Sequence, residues 1–471
     1  MADITRVGIV GGGLAGLAAA IGLAAQGIET DVFEARQCLG GRFLSSDDSE
    51  GNESTDGCQH VGMGWDVNFL QFCTQIGAAK GIERQSRLHF FGPDGRRSDL
   101  YAVPGLPAPI HLAAAFFRLK FVKWRDRWKI LKAMRELAAP VNEEDAELTA
   151  QRWLRLHDQS LELIERFWSP IVGALLRERL DTVSFSAWRK VILCTFLQNR
   201  GGFSPYLLAS DTQRALMEPA KAWLISRGAR VLTSAPVRLV LGSSDRCQGV
   251  LLEDGTARPF DLVIVAAGCR ELSHLFAASL QPAIPSLPNF DSWQTIPLTF
   301  AHLWFDRPLT PLSHAIAIQS HIQWVVRRHP RAAADIQSSG GFNYQITMNV
   351  TTDWQSKSKE EVVNLILKDL TKIWPTCHDA KLLKSQVVNV PNACISAIPG
   401  FDSERPTQET TVPNLMLAGD WTQTGCTSTM EGAVRSGNLA AEAVLRYLGR
   451  PKKLVAEELP IDWLARRWLG A

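Results

Sequence analysis

The chain has 471 residues, 46% apolar and 21% charged, the balance of a globular protein with a large core and not of a disordered chain or a small disulfide-stapled scaffold. Fifty basic against forty-eight acidic residues leave a net charge of +2, so the total gives no support to nucleic acid as a partner. Nine Cys scattered without a CxxC pair argue against a structural zinc site and make a reducing, cytoplasmic setting the expectation, with no metal.

At the N-terminus, MADITRVGIVGGG lacks a basic region followed by an apolar stretch, so no signal peptide is expected. Arg6 to Val10 predict a buried parallel strand, followed at once by Gly11, Gly12, Gly13, Leu14, Ala15 and Gly16 and then by an Ala-rich helix. Gly11 permits the tight turn, Gly13 lets the backbone approach a pyrophosphate, and Gly16 allows close helix packing. The amides at the helix start, around Leu14 and Ala15, offer hydrogen bonds to the anion. Glycines alone also fit a loop with no ligand. The next strand, IETDVFE, shifts that balance because it ends on Glu34, where a carboxylate can accept the hydroxyl hydrogens of an unphosphorylated ribose. Beyond it, ARQCLGGRF supplies Ala35, Arg36, Gly40, Gly41 and Arg42, a second flexible turn with a cation for the same diphosphate. The pattern suits FAD better than NAD. Pairing of Arg42 with a surface carboxylate is the plainer alternative.

After VPGLPAP, the stretch HLAAAFFRLKFVKWRDRWKILKAMREL reads as helix, with Phe117, Phe121, Trp124, Trp128 and Leu131 recurring on one face. Between Arg118 and Arg135, eight Lys/Arg stand against Asp126 alone, a local +7 within the nearly neutral total. Two readings stand side by side: a helix lying on anionic lipid, or one packed on the body with a solvated basic face. Among fifteen Trp, Trp153, Trp168, Trp188 and Trp223 suit either core packing or the lining of an apolar tunnel.

From Gly228 to Gly268 short strands follow, with Asp254 and Gly255 at a hairpin turn and Val237 placed to contact adenine. FAHLWFD and YQITMNV predict strands of a second sheet. Near the C-terminus, VPNLMLAGDWTQTGCTSTMEGAVRSGNLAAEAVL repeats the logic of strand, Gly-Asp turn and helix. Gly419 and Asp420 suit ribityl or phosphate-proximal hydroxyls. The helix beginning near Thr429 can direct the amides around Met430, Glu431 and Ala433 toward the flavin N1/O2 edge. The Glu431 side chain fits this role or that of an N-terminal cap equally well. The last segment, IDWLARRWLGA, is a short basic, aromatic tail suited to a membrane interface or to docking on the protein; Trp463 and Trp468 are its aromatic anchors.

The expected fold is therefore α/β: a Rossmann-like FAD-binding domain interleaved with a mixed-sheet and helical substrate domain. Residues 1–95, 210–285 and 393–450 are assigned to the first, 96–209 and 286–392 to the second, and 451–471 to an amphipathic tail.

The motifs GGGLAGLAAA, EARQCLGGR and AGDWTQTGCTSTMEGAVRSG resemble those of the flavin amine oxidase and carotenoid desaturase superfamily. More narrowly, DGCQHVGMG, PGLPAPIHLAAAF, LIERFWSPIVGALL, LMEPAKAWLISRGARV and FAHLWFDRPL are similar to the squalene-associated FAD enzymes, the hydroxysqualene dehydroxylases of hopanoid biosynthesis. Where that family has Asn-Gly-Gln-His before its first flavin-adjacent turn, this chain has Asp56, Gly57, Cys58, Gln59 and His60, which leaves the ring contacts of Gln59 and His60 open. The resemblance implies a flavin between two lobes beside a long apolar cavity, and reductive removal of hydroxyl from an isoprenoid substrate with an electron donor the sequence does not identify. His60 is then the first candidate for proton delivery, with cofactor support as its other role; Asp402 and Glu404, in GFDSERP, are secondary candidates. Alternatives are FAD-dependent isoprenoid or carotenoid desaturation, amine oxidation, and a flavin-containing, membrane-associated binding protein. The setting expected is cytoplasmic, peripheral to the membrane if the basic segments bind lipid.

Overall fold

The computed structural model describes residues 5–43, 60–208, 211–277, 279–280, 290–328 and 341–469. Its first sheet is fully parallel, ordered 415–417, 262–265, 6–10, 29–33 and 230–232. The central strand Arg6–Val10 is flanked by Leu262–Val265 on one side and Glu29–Phe33 on the other, and its apolar run is buried on both faces, as a covered parallel strand requires. Helix Leu14–Ala24 packs on helix Met430–Tyr447. Small residues set the distance: a Cβ on Gly437 would lie 2.1 Å from the Ala15 carbonyl oxygen. The N-terminal and C-terminal glycine motifs, some 400 residues apart in sequence, thereby come together at the carboxyl ends of the parallel strands. Beside it, Val237–Gly242, Cys247–Leu252 and Ala257–Pro259 form an antiparallel sheet, with Gly255 turning the hairpin at φ +84°.

The second sheet has seven strands, ordered 382–395, 295–305, 342–348, 322–327, 314–317, 87–91 and 97–101. The strands expected from FAHLWFD and YQITMNV are Thr295–Phe305 and Phe342–Met348, paired antiparallel. Arg87–Phe91 joins this sheet through parallel pairing of Phe90 with Ile316, which corrects the placement of all of residues 1–95 in the nucleotide lobe. Its Leu88 and Phe90 face a helical core, and that burial decides the side on which the strand lies. Helix Lys359–Ile373, opened by a Ser358/Glu361 capping box, covers the sheet with Val362, Ile366 and Leu370.

Helices between residues 110 and 197 enclose an aromatic core. Trp153, Trp168 and Trp188 are wholly buried there, with Trp168 meeting Trp188 edge-on at 5.4 Å, so these three are packing residues. Trp223 is half-buried against the nucleotide lobe under Arg227. The long basic helix expected from 111 to 137 is broken: Ala113–Phe116 ends, Leu119 and Val122 insert into the core, and Trp124–Ala138 starts anew. The inward stripe is Ile130, Ala133 and Leu137. Trp128, two residues before Ile130 and so roughly 200° around the axis, points outward, so the aromatic face expected from the periodicity is not the one that packs on the body. Among the described residues, no helix is long and apolar enough to cross a membrane.

Candidate cofactor and reaction site

The glycine turn after the first strand is fixed by close backbone approach. Gly11 has φ +110°, and a Cβ there would lie 2.6 Å from the Ala266 carbonyl oxygen; one on Gly16 would lie 2.0 Å from that of Gly11. Glu34, buried at the end of the second strand, accepts from the Gly12 amide at 2.8 Å and the Arg36 amide at 3.0 Å. Each carboxylate oxygen retains a further lone pair, so the group can still accept from a sugar hydroxyl. Helix Leu14–Ala24 begins at Gly13 with no side-chain cap, leaving the amides around Leu14 and Ala15 for a ligand. Facing them is Gly41, φ +58°, where a Cβ would come within 3.3 Å of the Gly13 Cα. Two side-chain-free turns thus face each other. Ala35 and Arg36 follow Glu34, and the Arg36 carbonyl accepts from the Ser234 amide. Val237 lies half-buried opposite Leu252, two residues beyond Ala235, whose amide donates to the Glu34 carbonyl.

Arg42 and Asp420 meet at 2.5 Å. Ser428 donates to Asp420, and Arg42 donates to Ser428 Oγ at 3.2 Å and to the Ala393 carbonyl at 3.3 Å. Burial works to raise the Asp420 carboxyl, but the charge and hydrogen bond of Arg42 outweigh it and hold the group below the usual carboxylate range; the same pairing raises Arg42. Asp420 is 4% exposed whereas Arg42 remains 55% exposed, so the guanidinium is reachable from outside while its partner is not. Sequence placed both residues near phosphate or ribityl oxygens; the structure joins them to each other. The pair keeps guanidinium donors available to an anion. Gly419 has φ +149°, and its amide donates to Ser436 Oγ at 2.8 Å.

Thr429 caps the last long helix by accepting from the Gly432 amide at 3.1 Å. Met430 and Ala433 sit in its first turn. The Glu431 side chain leaves that turn: it accepts from Asn68 Nδ2 at 2.6 Å and the Phe69 amide at 3.0 Å, capping helix Val67–Gln75 instead of its own. Nearby, Asp66 accepts from the Met63 amide and the Tyr206 hydroxyl, both at 2.9 Å. Burial, reinforced by the charge of Glu431, pushes the Asp66 carboxyl up to about 7, and burial raises Glu431 as well. This buried acidic pair and its Tyr206 partner were not foreseen. Their residues are far apart in sequence and carry no local motif.

His60 is half-buried at the seam between the lobes, and burial, aided by the charges of Arg177 and Arg42, pushes its imidazole down to about 3. At that value the imidazole is neutral at physiological pH, the state of a hydrogen-bonding group. Arg177, unmarked by any motif, is held at φ +55° with its guanidinium 6.0 Å from the Phe300 ring. Gln59 lies outside the described residues. Asp402 and Glu404 are exposed, and Asp402 pairs at 2.8 Å with Arg405. They are therefore corrected from proton donors to surface groups, because the buried Arg405 captures Asp402. Arg405 in turn donates to the carbonyls of Asp420 and Cys426, both at 2.7 Å, and holds the 420–426 loop.

Opposed glycine turns, an acceptor carboxylate at ribose distance in the chain, a cation anchored by a buried carboxylate and an open helix N-terminus together fit a dinucleotide carrying a flavin. The sequence profile of the family described as flavin containing amine oxidoreductase matches residues 14–445. A 15-cis-phytoene desaturase of Synechococcus elongatus is 26% identical over 95% of this chain and 98% of its own length. A zeta-carotene desaturase of Synechocystis is 25% identical over 94% and 98%. An oxidoreductase from Methanosarcina mazei shares the fold, with a TM-score of 0.67 at 17% identity over 94% of this chain and all of its own.

Proposed function

The chain belongs to the flavin containing amine oxidoreductase family, and on that premise we propose that it is an FAD-dependent desaturase of a long isoprenoid chain. The full-length similarity to phytoene and zeta-carotene desaturases carries this reading. Bound FAD would supply two-electron redox chemistry to such a chain.

Gly11, Gly13, Gly16, Leu14 and Ala15 would hold the diphosphate, Glu34 the ribose, and Val237 the adenine side. Arg42, anchored by Asp420 and Ser428, would neutralise the diphosphate from across the turn. The first turn of helix Met430–Tyr447, capped by Thr429, would offer its amides and positive dipole end to the flavin's electron-rich edge. A lobe built around this apolar aromatic core would exclude water from reacting carbons held against it. Desaturation removes two hydrogens from adjacent carbons, and no protein cation is needed at a hydrocarbon.

One observation favours a second reading. The charge of Arg177 acts on the His60 imidazole, so two polar groups of the kind that bind an oxygen atom, which a pure hydrocarbon lacks, lie within electrostatic reach of each other. Reductive dehydroxylation of hydroxysqualene, which exchanges hydroxyl for hydrogen and releases water, would use them, in line with the narrower motif resemblance. Product analysis separates the two: oxidised holoprotein given phytoene, and reduced holoprotein given hydroxysqualene. A product with two fewer hydrogens in the first reaction supports desaturation; squalene in the second, with no product in the first, replaces it by dehydroxylation.

A further inference from the structure

The helical lobe buries most of its large apolar side chains, yet Leu106, Ile110, Phe117, Trp124, Trp128 and Trp463 are exposed. They come from three segments that the structure draws together. Leu106 and Ile110 flank Ala108, whose amide donates at 2.8 Å to Asp462, the residue before Trp463. Asp462 is further held by the Arg200 amide at 3.0 Å. The C-terminal helix Trp463–Leu469 then packs along helix Trp124–Ala138, and the Trp128 ring lies 6.1 Å from Phe117. Trp463, Trp124 and Trp128 are 70%, 64% and 61% exposed. Trp468, by contrast, packs with Leu469 against the helical core, so it secures the helix from beneath and is not part of the outer face.

Cations surround these aromatics. Lys123 and Lys132 are matched by Glu162 and Asp158, whereas the exposed Lys120, Arg125, Lys129, Arg135, Arg466 and Arg467 have no carboxylate partner among the described residues. Apolar indoles ringed by uncompensated positive charge match the two layers of an anionic bilayer surface, headgroup and acyl boundary. A second copy of the chain fits poorly, because a two-fold pairing would set these six cations against six identical ones.

We propose that loop 105–110, the end of the 113–116 helix, the outer edge of the 124–138 helix and the C-terminal helix form one composite face that docks on an anionic lipid bilayer, with Asp462 as the pin that assembles it. The surface does not depend on which isoprenoid reaction the site performs, and its test uses no turnover. FAD-loaded full-length protein is co-sedimented with vesicles of phosphatidylcholine alone or mixed with phosphatidylglycerol, with flavin retention confirming the fold of each variant. Binding should require phosphatidylglycerol and fall about tenfold or more in both the Trp124→Ser/Trp128→Ser and the Arg125→Glu/Lys129→Glu pairs. Asp462→Ala discriminates further. It removes a negative charge, so simple electrostatics would strengthen binding, whereas loss of the pin should weaken it several-fold. Equal binding to neutral vesicles, unchanged binding of either pair, or tighter binding of Asp462→Ala overturns the proposal. So does a lipid-free dimer that the Trp pair converts to monomer.

Discussion

The nucleotide lobe and the helical lobe are assembled by opposite means. In the first, contacts depend on the absence of side chains: Gly11, Gly16 and Gly437 each leave room for backbone that a single carbon would fill. In the second, contacts depend on bulk, with Trp153, Trp168 and Trp188 filling the space between helices. Backbone-determined packing fixes a ligand's position closely and tolerates no added atom. Side-chain-determined packing tolerates rearrangement but loses stability with every atom removed.

The comparison breaks most visibly at its glycines. Gly16→Ala should yield no flavin-bearing protein, since its Cβ would meet the Gly11 carbonyl at 2.0 Å. Gly27→Ala, with φ +73° but open space around it, should keep its flavin and lose only about 1 kcal/mol; absorbance of the purified variants decides. Trp168→Ala tests the other side: a loss of about 3–5 kcal/mol in urea unfolding is expected, with FAD affinity little changed in protein that remains folded. Asp420→Asn should weaken FAD binding about tenfold by releasing Arg42, as measured by titrating apoprotein with the cofactor.

A pH-dependent effect concerns the seam, where Asp66 and Tyr206 join the two cores. With the Asp66 carboxyl raised to about 7, the folded chain keeps a proton that the unfolded chain releases near pH 4. That contribution is present at low pH and is lost as pH rises toward 7. Asp66→Asn stays neutral throughout, so its stability relative to the parent should climb between pH 5 and pH 8, by about 1–3 kcal/mol. Parallel stability curves would show that Asp66 is ionised in the fold.

The same contrast explains what could be read in the sequence. Glycine positions and the strand-turn-helix order around Gly11 and Asp420 are local, and the parallel strands follow from them. The helical lobe was less legible. Periodicity put Phe117, Phe121, Trp124, Trp128 and Leu131 on one face, but burial of Leu119 and Val122 breaks the helix and the smaller stripe of Ile130, Ala133 and Leu137 faces inward. Residue type alone points to Asp402 and Glu404, and nothing local announces that both lie exposed with Asp402 paired to a buried Arg405. Arg177, Asp66 and Tyr206 gain their roles only from partners distant in sequence.

The most direct test of the central claim is an anaerobic single turnover of oxidised holoprotein with an isoprenoid hydrocarbon such as phytoene. Loss of the oxidised-flavin absorption band in step with a product carrying one further double bond is expected. A flavin that stays oxidised with every isoprenoid offered, yet is reduced by a simple amine, would contradict it.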